Sequence, residues 1–110
     1  MKTAPDGNTV NILATGDITA KYAVGYDGDT AGADEAILGF ALANTDSGEM
    51  IPVRGSGFGI GVAGEAITAG DALTTDADGK LVDLGTASNL VGWSVTDVAA
   101  EDDDVLVKIN

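Results

Sequence analysis

The chain has 110 residues, enough for one domain with a buried core, and its 18 acidic and five basic residues give a formal charge of −13. That charge repels nucleic-acid phosphates and anionic membranes and is also typical of a very soluble surface, so we expect neither nucleic acid nor membrane as a partner. Because Cys and His are both absent, thiol nucleophiles, disulfides, imidazole bases and the usual zinc ligands are excluded together.

The N-terminal segment, residues 1–16, is predicted to be an extended arm in front of a single β domain at 17–110. It is mostly polar, but it contains an apolar group that could add a strand to an exposed sheet edge, namely Val10, Ile12 and Leu13. The alternative is that these three residues begin the domain's own sheet, and the sequence leaves both open. No signal-peptide core or membrane-length apolar run is present, so we expect a soluble, unprocessed chain made in a cytoplasm.

Two similar stretches open the two halves of the chain, "ITAKYAVGYDGD" at 18–29 and "ITAGDALTTDAD" at 67–78. Each is followed by an apolar pair, a Gly and an aromatic residue ("ILGF" and "LVGW"), and then by an alternating apolar run that ends in a cation ("MIPVR" and "VLVK"). The second half has a few extra residues around "KLVDLGTAS". The sequence therefore predicts two duplicated β units, at about 18–55 and 67–110, that bury each other's apolar faces.

Short apolar runs bounded by Gly, Asp, Asn or Ser, with turn signals every roughly 8 to 12 residues, predict an all-β fold, either a small barrel or a sandwich. The predicted strands lie at about 8–14, 21–26, 36–43, 49–54, 56–63, 71–75, 80–83, 90–96 and 104–109. The segment "ADEAILGFALA" is compatible with a helix by propensity, but Gly39 and its match to "LVGWSVTD" favour a strand. The segment "TDVAAEDD" is compatible with one helical turn.

A glycine-rich joint, "GSGFGIGVAG" at 55–64, separates the two units. In an extended chain its alternate glycines share one face, opposite a face of apolar side chains. Glycines spaced by two in a strand indicate close packing of another backbone, a sharp barrel corner or a subunit contact. We therefore take Gly57, Gly59 and Gly61 as candidate subunit contacts, with a flexible linker as the alternative.

Four motifs resemble parts of known sites, and each is incomplete. Residues 59–64 match G-x-G-x-x-G, but no helix follows to bind a pyrophosphate. Asp76–Gly79 resembles part of a calcium loop, but Gly85 stands where the bidentate Glu should be, so a hairpin turn is favoured. The run "EDDD" at 101–104 is typical of a solvated loop, with an incidental metal ion as the alternative, and "DTAG" at 29–32 is an interrupted aspartic-protease motif. We predict no catalytic residue, no cofactor and no metal site, and hence no enzyme.

Three longer stretches resemble the small decoration, or capsid cement, proteins of tailed bacteriophages. They are "ILGFALANTDSGEMIPVRGSGFGI" at 37–60, "ITAGDALTTDADGKLV" at 67–82 and "LVGWSVTDVAAEDDDVLVKI" at 90–109. The similarity covers roughly 17–110 and rests on the order of the elements: an Ala-Gly-Asp start of a strand, an Asp-x-x-Gly-Lys hairpin, a Gly-aromatic strand, an acidic turn and a final alternating strand. It implies a structural virion protein that binds the outer surface of an assembled capsid, contacts the major capsid protein, stabilises the shell and forms a homotrimer.

The resemblance also implies contact residues. In that family an N-terminal arm often docks on the shell, which makes three residues candidate capsid contacts: Val10, Ile12 and Leu13. Independently of the resemblance, the positions at which the first unit differs from the second are further candidate subunit contacts: Lys21, Tyr22 and Tyr26. The alternative function is a non-viral β-sandwich binding module, carbohydrate-binding or adhesin-like. Few aromatic residues are available to stack on sugars, and Trp93 is expected in the core because the repeat places it inside a strand.

Overall fold

Nine strands form two antiparallel sheets in the computed structural model, which describes residues 9–109. The strands are β1 (Thr9–Leu13), β2 (Ala23–Gly25), β3 (Ile37–Ala41), β4 (Met50–Arg54), β5 (Phe58–Val62), β6 (Ala72–Thr75), β7 (Leu81–Asp83), β8 (Gly92–Ser94) and β9 (Asp104–Ile109). The first sheet has the order β1-β4-β3-β2 and the second β5-β9-β8-β6-β7, and the two curled sheets form a half-barrel. The all-β prediction is confirmed. Nothing in the described part of the chain is a helix long and apolar enough to cross a membrane.

Each unit uses one glycine to bring two strands close together. A Cβ on Gly39 of β3 would collide with the backbone carbonyl oxygen of Arg54, and one on Gly92 of β8 with that of Lys108. Because the neighbouring strand occupies the space of a side chain, only glycine fits at either position. The apolar-pair, Gly, aromatic pattern therefore occurs twice because the same strand contact is made twice.

The strand pairing shows that the duplication starts earlier than the sequence indicates. β1 pairs with β4, beginning at Thr9 opposite Arg54, and β5 pairs with β9, beginning at Phe58 opposite Lys108. The first unit therefore comprises β1 to β4 and the second β5 to β9. The second has one additional strand, β7, which pairs with β6 and contains part of the extra "KLVDLGTAS" segment.

The repeated Ile-Thr-Ala stretches tie the segment after the first strand of each unit to the loop before its last strand. Ile18 exchanges two backbone hydrogen bonds with Thr45, and Ile67 exchanges two with Val98. Both isoleucine side chains are buried, at 3% and 4% exposed. The shared stretches therefore have a structural role, because each holds two parts of its unit together.

A left-handed residue follows each of these stretches. The φ angle is 77° at Lys21 and 92° at Gly70, and their amides donate equivalent hydrogen bonds to the carbonyls of Ala41 (2.8 Å) and Ser94 (2.7 Å). Glycine adopts this conformation freely, whereas a residue with a Cβ is strained in it. The first unit therefore carries a lysine where the backbone favours glycine.

The two sheets share one core, because an aromatic residue of the first unit belongs to the cluster of the second. Phe40, 1% exposed, packs with residues of the second sheet. The opposite face of the first sheet has its own smaller cluster, made of Ala14, Ile18, Val24, Ala41, Ile51 and Val53. One face of the first sheet thus covers the inner face of the second.

The glycine-rich segment contains strand β5, so only Gly55, Ser56 and Gly57 join the units. Gly59 and Gly61 of β5 are buried and face the shared core. A Cβ on either would lie 3.1 or 3.0 Å from the ring of Phe40. The close packing that the glycine spacing predicted is therefore with an aromatic ring of the same chain, and these two glycines offer no surface to a second copy. Gly57, with φ of 83°, lies just before the strand.

The segment Thr9–Leu13 is a strand of the domain's own sheet. β1 is an edge strand that pairs with β4 along its whole length. The sequence left open whether this segment belongs to a docking arm or begins the domain's own sheet, and the structure shows the latter. The rest of the predicted arm before Thr9 lies outside the described residues.

Candidate interaction surfaces

One side of the second sheet presents an exposed apolar surface, which we call the outer face. Alternation along β5, β8 and β9 directs Val62 and Asp104 to this side at the start of β9, and beyond them six side chains that we define as the outer face. They are Phe58, Ile60, Trp93, Val95, Leu106 and Lys108. Four of the six are large apolar side chains that are 37% to 55% exposed. Single exposed apolar residues are common on soluble proteins, but a contiguous group on one sheet face marks an interaction surface.

Trp93 lies on this outer face, so the prediction that it is in the core was wrong. Its equivalent in the first unit, Phe40, is buried because the second sheet covers it, whereas Trp93 is 37% exposed. The Nζ atom of Lys108 lies 5.7 Å from the centroid of the Trp93 ring, at the distance of a cation–π contact. The repeat correctly placed both aromatics in strands, but alternation alone does not say which sheet face is covered.

A groove of about 290 Å³ runs beside the outer face, between the two sheets. Leu42 of the first unit and Phe58 and Ile60 of the second contribute exposed apolar side chains to it. The predicted contact Lys21 also lines this groove, and its Nζ lies 2.8 Å from the Asp104 carboxylate. Both side chains are about half exposed, so solvent screens this pair and its contribution to stability is small.

Of the other two predicted subunit contacts of the first unit, Tyr26 lies away from Lys21. Tyr22 is only half-buried, and Tyr26 is 72% exposed at a different cavity of about 240 Å³. That second cavity lies where Leu38 of the first unit approaches Ile109 of the second. The three residues therefore do not form one patch.

The predicted capsid contacts occupy both faces of β1. Val10 and Ile12 point to the side of the small cluster, since they pair with the buried residues Val53 and Ile51. Leu13 points to the opposite side and is 56% exposed, compared with 41% for Val10. Ile12 is half-buried. Their contact with a capsid stays a prediction.

Negative charge is concentrated in loops. Among the described strands, carboxylates occur only at Asp83 and Asp104, and Asp104, at the edge of the outer face, is paired with Lys21. The acidic turn before β9 is held by Lys80, whose Nζ lies 2.7 Å from Asp102 and 3.2 Å from Glu101. Hydrogen bonds to Asp102 and then Glu101 raise the pKa of Lys80. No group of three ligating side chains that could hold a metal ion occurs within residues 9–109.

A second polar link joins a first-unit loop to the second unit. The Asp34 carboxylate accepts backbone hydrogen bonds from Asn89 (2.7 Å) and Ser88 (3.1 Å), and these hold its pKa below the usual value. The side-chain amide of Asn89 donates in return to the Asp34 carbonyl at 2.8 Å. No sequence pattern predicted this link, because an Asp before a strand is normally solvated.

The fold is similar to that of the crystal structure of the head fiber gp8.5 N base in bacteriophage phi29. The two share 22% sequence identity and superimpose with a TM-score of 0.78 over 94% of this chain and 93% of that one. None of the curated proteins matches the sequence. The family model for phage cement proteins matches residues 4–109. The chain belongs to the phage cement protein family.

This membership confirms the resemblance that the sequence indicated and establishes a structural role in decorating the phage capsid. The comparisons give no support to a carbohydrate-binding or adhesin-like module. The outer face is the surface that the sequence did not predict.

Proposed function

We propose that three copies of this chain form a trimer that binds the outer surface of an assembled capsid, contacts the major capsid protein and stabilises the shell without catalysing a reaction. The observation that carries this proposal is the match of nearly the whole chain to the phage cement family. The described residues also contain no cluster suited to metal chemistry, and their prominent features are apolar surfaces on a rigid β scaffold.

The charge distribution supports such a role. Loops that carry the carboxylates repel free copies of a chain with charge −13 and keep it soluble before assembly. Apolar strand faces then supply short-range contacts, and the symmetry of a shell multiplies each weak contact into strong overall binding.

Co-sedimentation tests the proposal. Purified protein is mixed with expanded shells, unexpanded shells and free major capsid protein, over a range of salt concentrations. We expect binding to expanded shells alone, persistence of that binding at high salt, and a higher temperature of shell disruption when the protein is bound. Failure to co-sediment with expanded shells at every salt concentration would exclude the cement role.

A further inference from the structure

The same sheet face is covered in one unit and uncovered in the other. In the first sheet this face carries Phe40, whose ring packs over Gly59 and Gly61 of β5. The strand register places Trp93 at the equivalent position, since Phe40 pairs with Ala23 and Arg54 as Trp93 pairs with Ala72 and Lys108. Trp93 belongs to the outer face, which no described part of the chain covers.

The surface on which the Phe40 ring packs also has an equivalent in the other unit. Gly59 and Gly61 pair with Val107 and Val105 of β9, and the equivalent residues in β1, Val10 and Ile12, pair with Val53 and Ile51 of β4. In the second unit this side is buried under Phe40. In the first unit the centre of this side is buried in the small cluster, where Ile51 and Val53 are 0% exposed, but its edge is open: Val10 is 41% exposed, and Ile12 and Leu38 are only half-buried. We call Val10, Ile12 and Leu38 the receiving side.

We propose that the outer face of one copy packs against the receiving side of a second copy, in the way that the two units pack within one chain. This inference rests on the trimer of the proposed function and names the surfaces that form it. The contact joins two different surfaces, so it can close into a ring such as a trimer. It assigns Val10 and Ile12 to a subunit interface instead of the capsid.

The charges of the two surfaces favour a second copy as the occupant. Between copies of charge −13, contacts through the acidic loops are repulsive. The six side chains of the outer face include one lysine and no carboxylate, the adjacent Asp104 is paired with Lys21, and strand β1 has no charged residue at all. Aromatic residues and depletion of charge are typical of the core of a protein interface. These are thus the surfaces on which two copies can meet with least repulsion.

The side chains of β1 set the strength of the contact. Within the chain, glycines let the Phe40 ring approach the β5 backbone, whereas Val10 and Ile12 fill the corresponding space on β1. Trp93 of a second copy therefore lies on top of these side chains and inserts less deeply than Phe40 does. We expect an association that is weaker than the packing between units and that depends on protein concentration.

Two complementary variants test the proposal. Trp93→Asp removes the outer face and leaves the receiving side intact, and Val10→Asp does the reverse. By light scattering and sedimentation, each variant is expected to show a threefold lower mass than the wild-type trimer. An equimolar mixture is expected to form one-to-one dimers, because one working contact remains between the two variants. Leu13→Asp, on the opposite face of β1, is the matched control and should stay trimeric.

Circular dichroism checks that the variants are folded, and Val10→Ser replaces Val10→Asp if that variant is not. Single variants that remain trimeric, or a mixture that yields no dimer, would overturn the proposal. A wild-type protein that is monomeric at every concentration would also overturn the proposal. If that monomer still bound shells, the cement role would stand. Trimeric variants that no longer bind shells would show that the outer face docks on the capsid, which also contradicts the proposal.

Discussion

The packing of Phe40 against two glycines predicts that Gly61→Ala destabilises the protein. A Cβ at this position would lie 2.6 Å from Leu81 Cδ1 and 3.0 Å from Phe40 Cε1. Leu81 and Phe40 are 0% and 1% exposed, so neither side chain has room to move away. Overpacking of this kind costs about 1–3 kcal/mol.

Part of this cost is offset because alanine reduces the conformational freedom of the unfolded chain, which stabilises by about 0.4–1 kcal/mol. The net loss for Gly61→Ala should therefore be about 1–2 kcal/mol, which lowers the urea midpoint by about 1 M. Gly59→Ala should cost less, because its closest contacts are at 3.1 Å and one of them is the end of the partly buried Ile109 side chain.

The assay is urea unfolding followed by far-ultraviolet circular dichroism at one fixed protein concentration, since association changes apparent stability. Phe40→Leu makes room for the new methyl group, so the double variant with Gly61→Ala should be more stable than the sum of the single effects, by about 0.5 kcal/mol or more. Gly61→Ala as stable as the wild type, or no coupling between the two positions, would refute the proposed packing.

Two further predictions concern the turns and the link between units. Gly70→Ala should destabilise the protein by about 1–2 kcal/mol because of the positive φ at this position. Lys21→Gly, at the equivalent turn, should stabilise it by up to about 1 kcal/mol in urea melts. Equal effects of the two changes would contradict the turn assignment. Asp34 has a lowered pKa in the folded state, so its stabilisation is present above about pH 4 and lost as the pH falls below that value. The difference in Tm between wild type and Asp34→Asn should accordingly shrink on acidification, and a difference independent of pH would show that the carboxylate charge is not involved.

Much of the fold was predictable from local patterns. Short apolar runs bounded by turn residues located all nine strands, because strand length and turn chemistry are properties of adjacent residues. The hairpin at Asp76–Gly79 was predictable for the same reason: Asp76 Oδ1 accepts the amides of Asp78 and Lys80, and Gly79 has a φ of 80°. Local chemistry therefore determined these elements.

Properties that depend on the packing of one unit against the other were not predictable. The equivalence of β1 and β5 was missed because "TVNIL" and "FGIGV" have no identical residue at matching positions and share only their pairing register. Glycine replaces Val10 and Ile12 in β5 because an aromatic ring of the other unit needs the space. For the same reason the position of Trp93 inside a strand predicted burial, whereas the arrangement of the sheets buries Phe40 and leaves Trp93 37% exposed.

The contacts between the two units, which only three residues join, have a consequence for folding. Independent copies of a duplicated unit would unfold in two separate transitions. Here Phe40 completes the core of the other unit, and Asp34 and Lys21 bond across the boundary, so loss of either unit exposes the core of its neighbour. The chain should therefore melt in one cooperative step, and proteolytic cleavage between Gly55 and Gly57 should leave two fragments that remain associated.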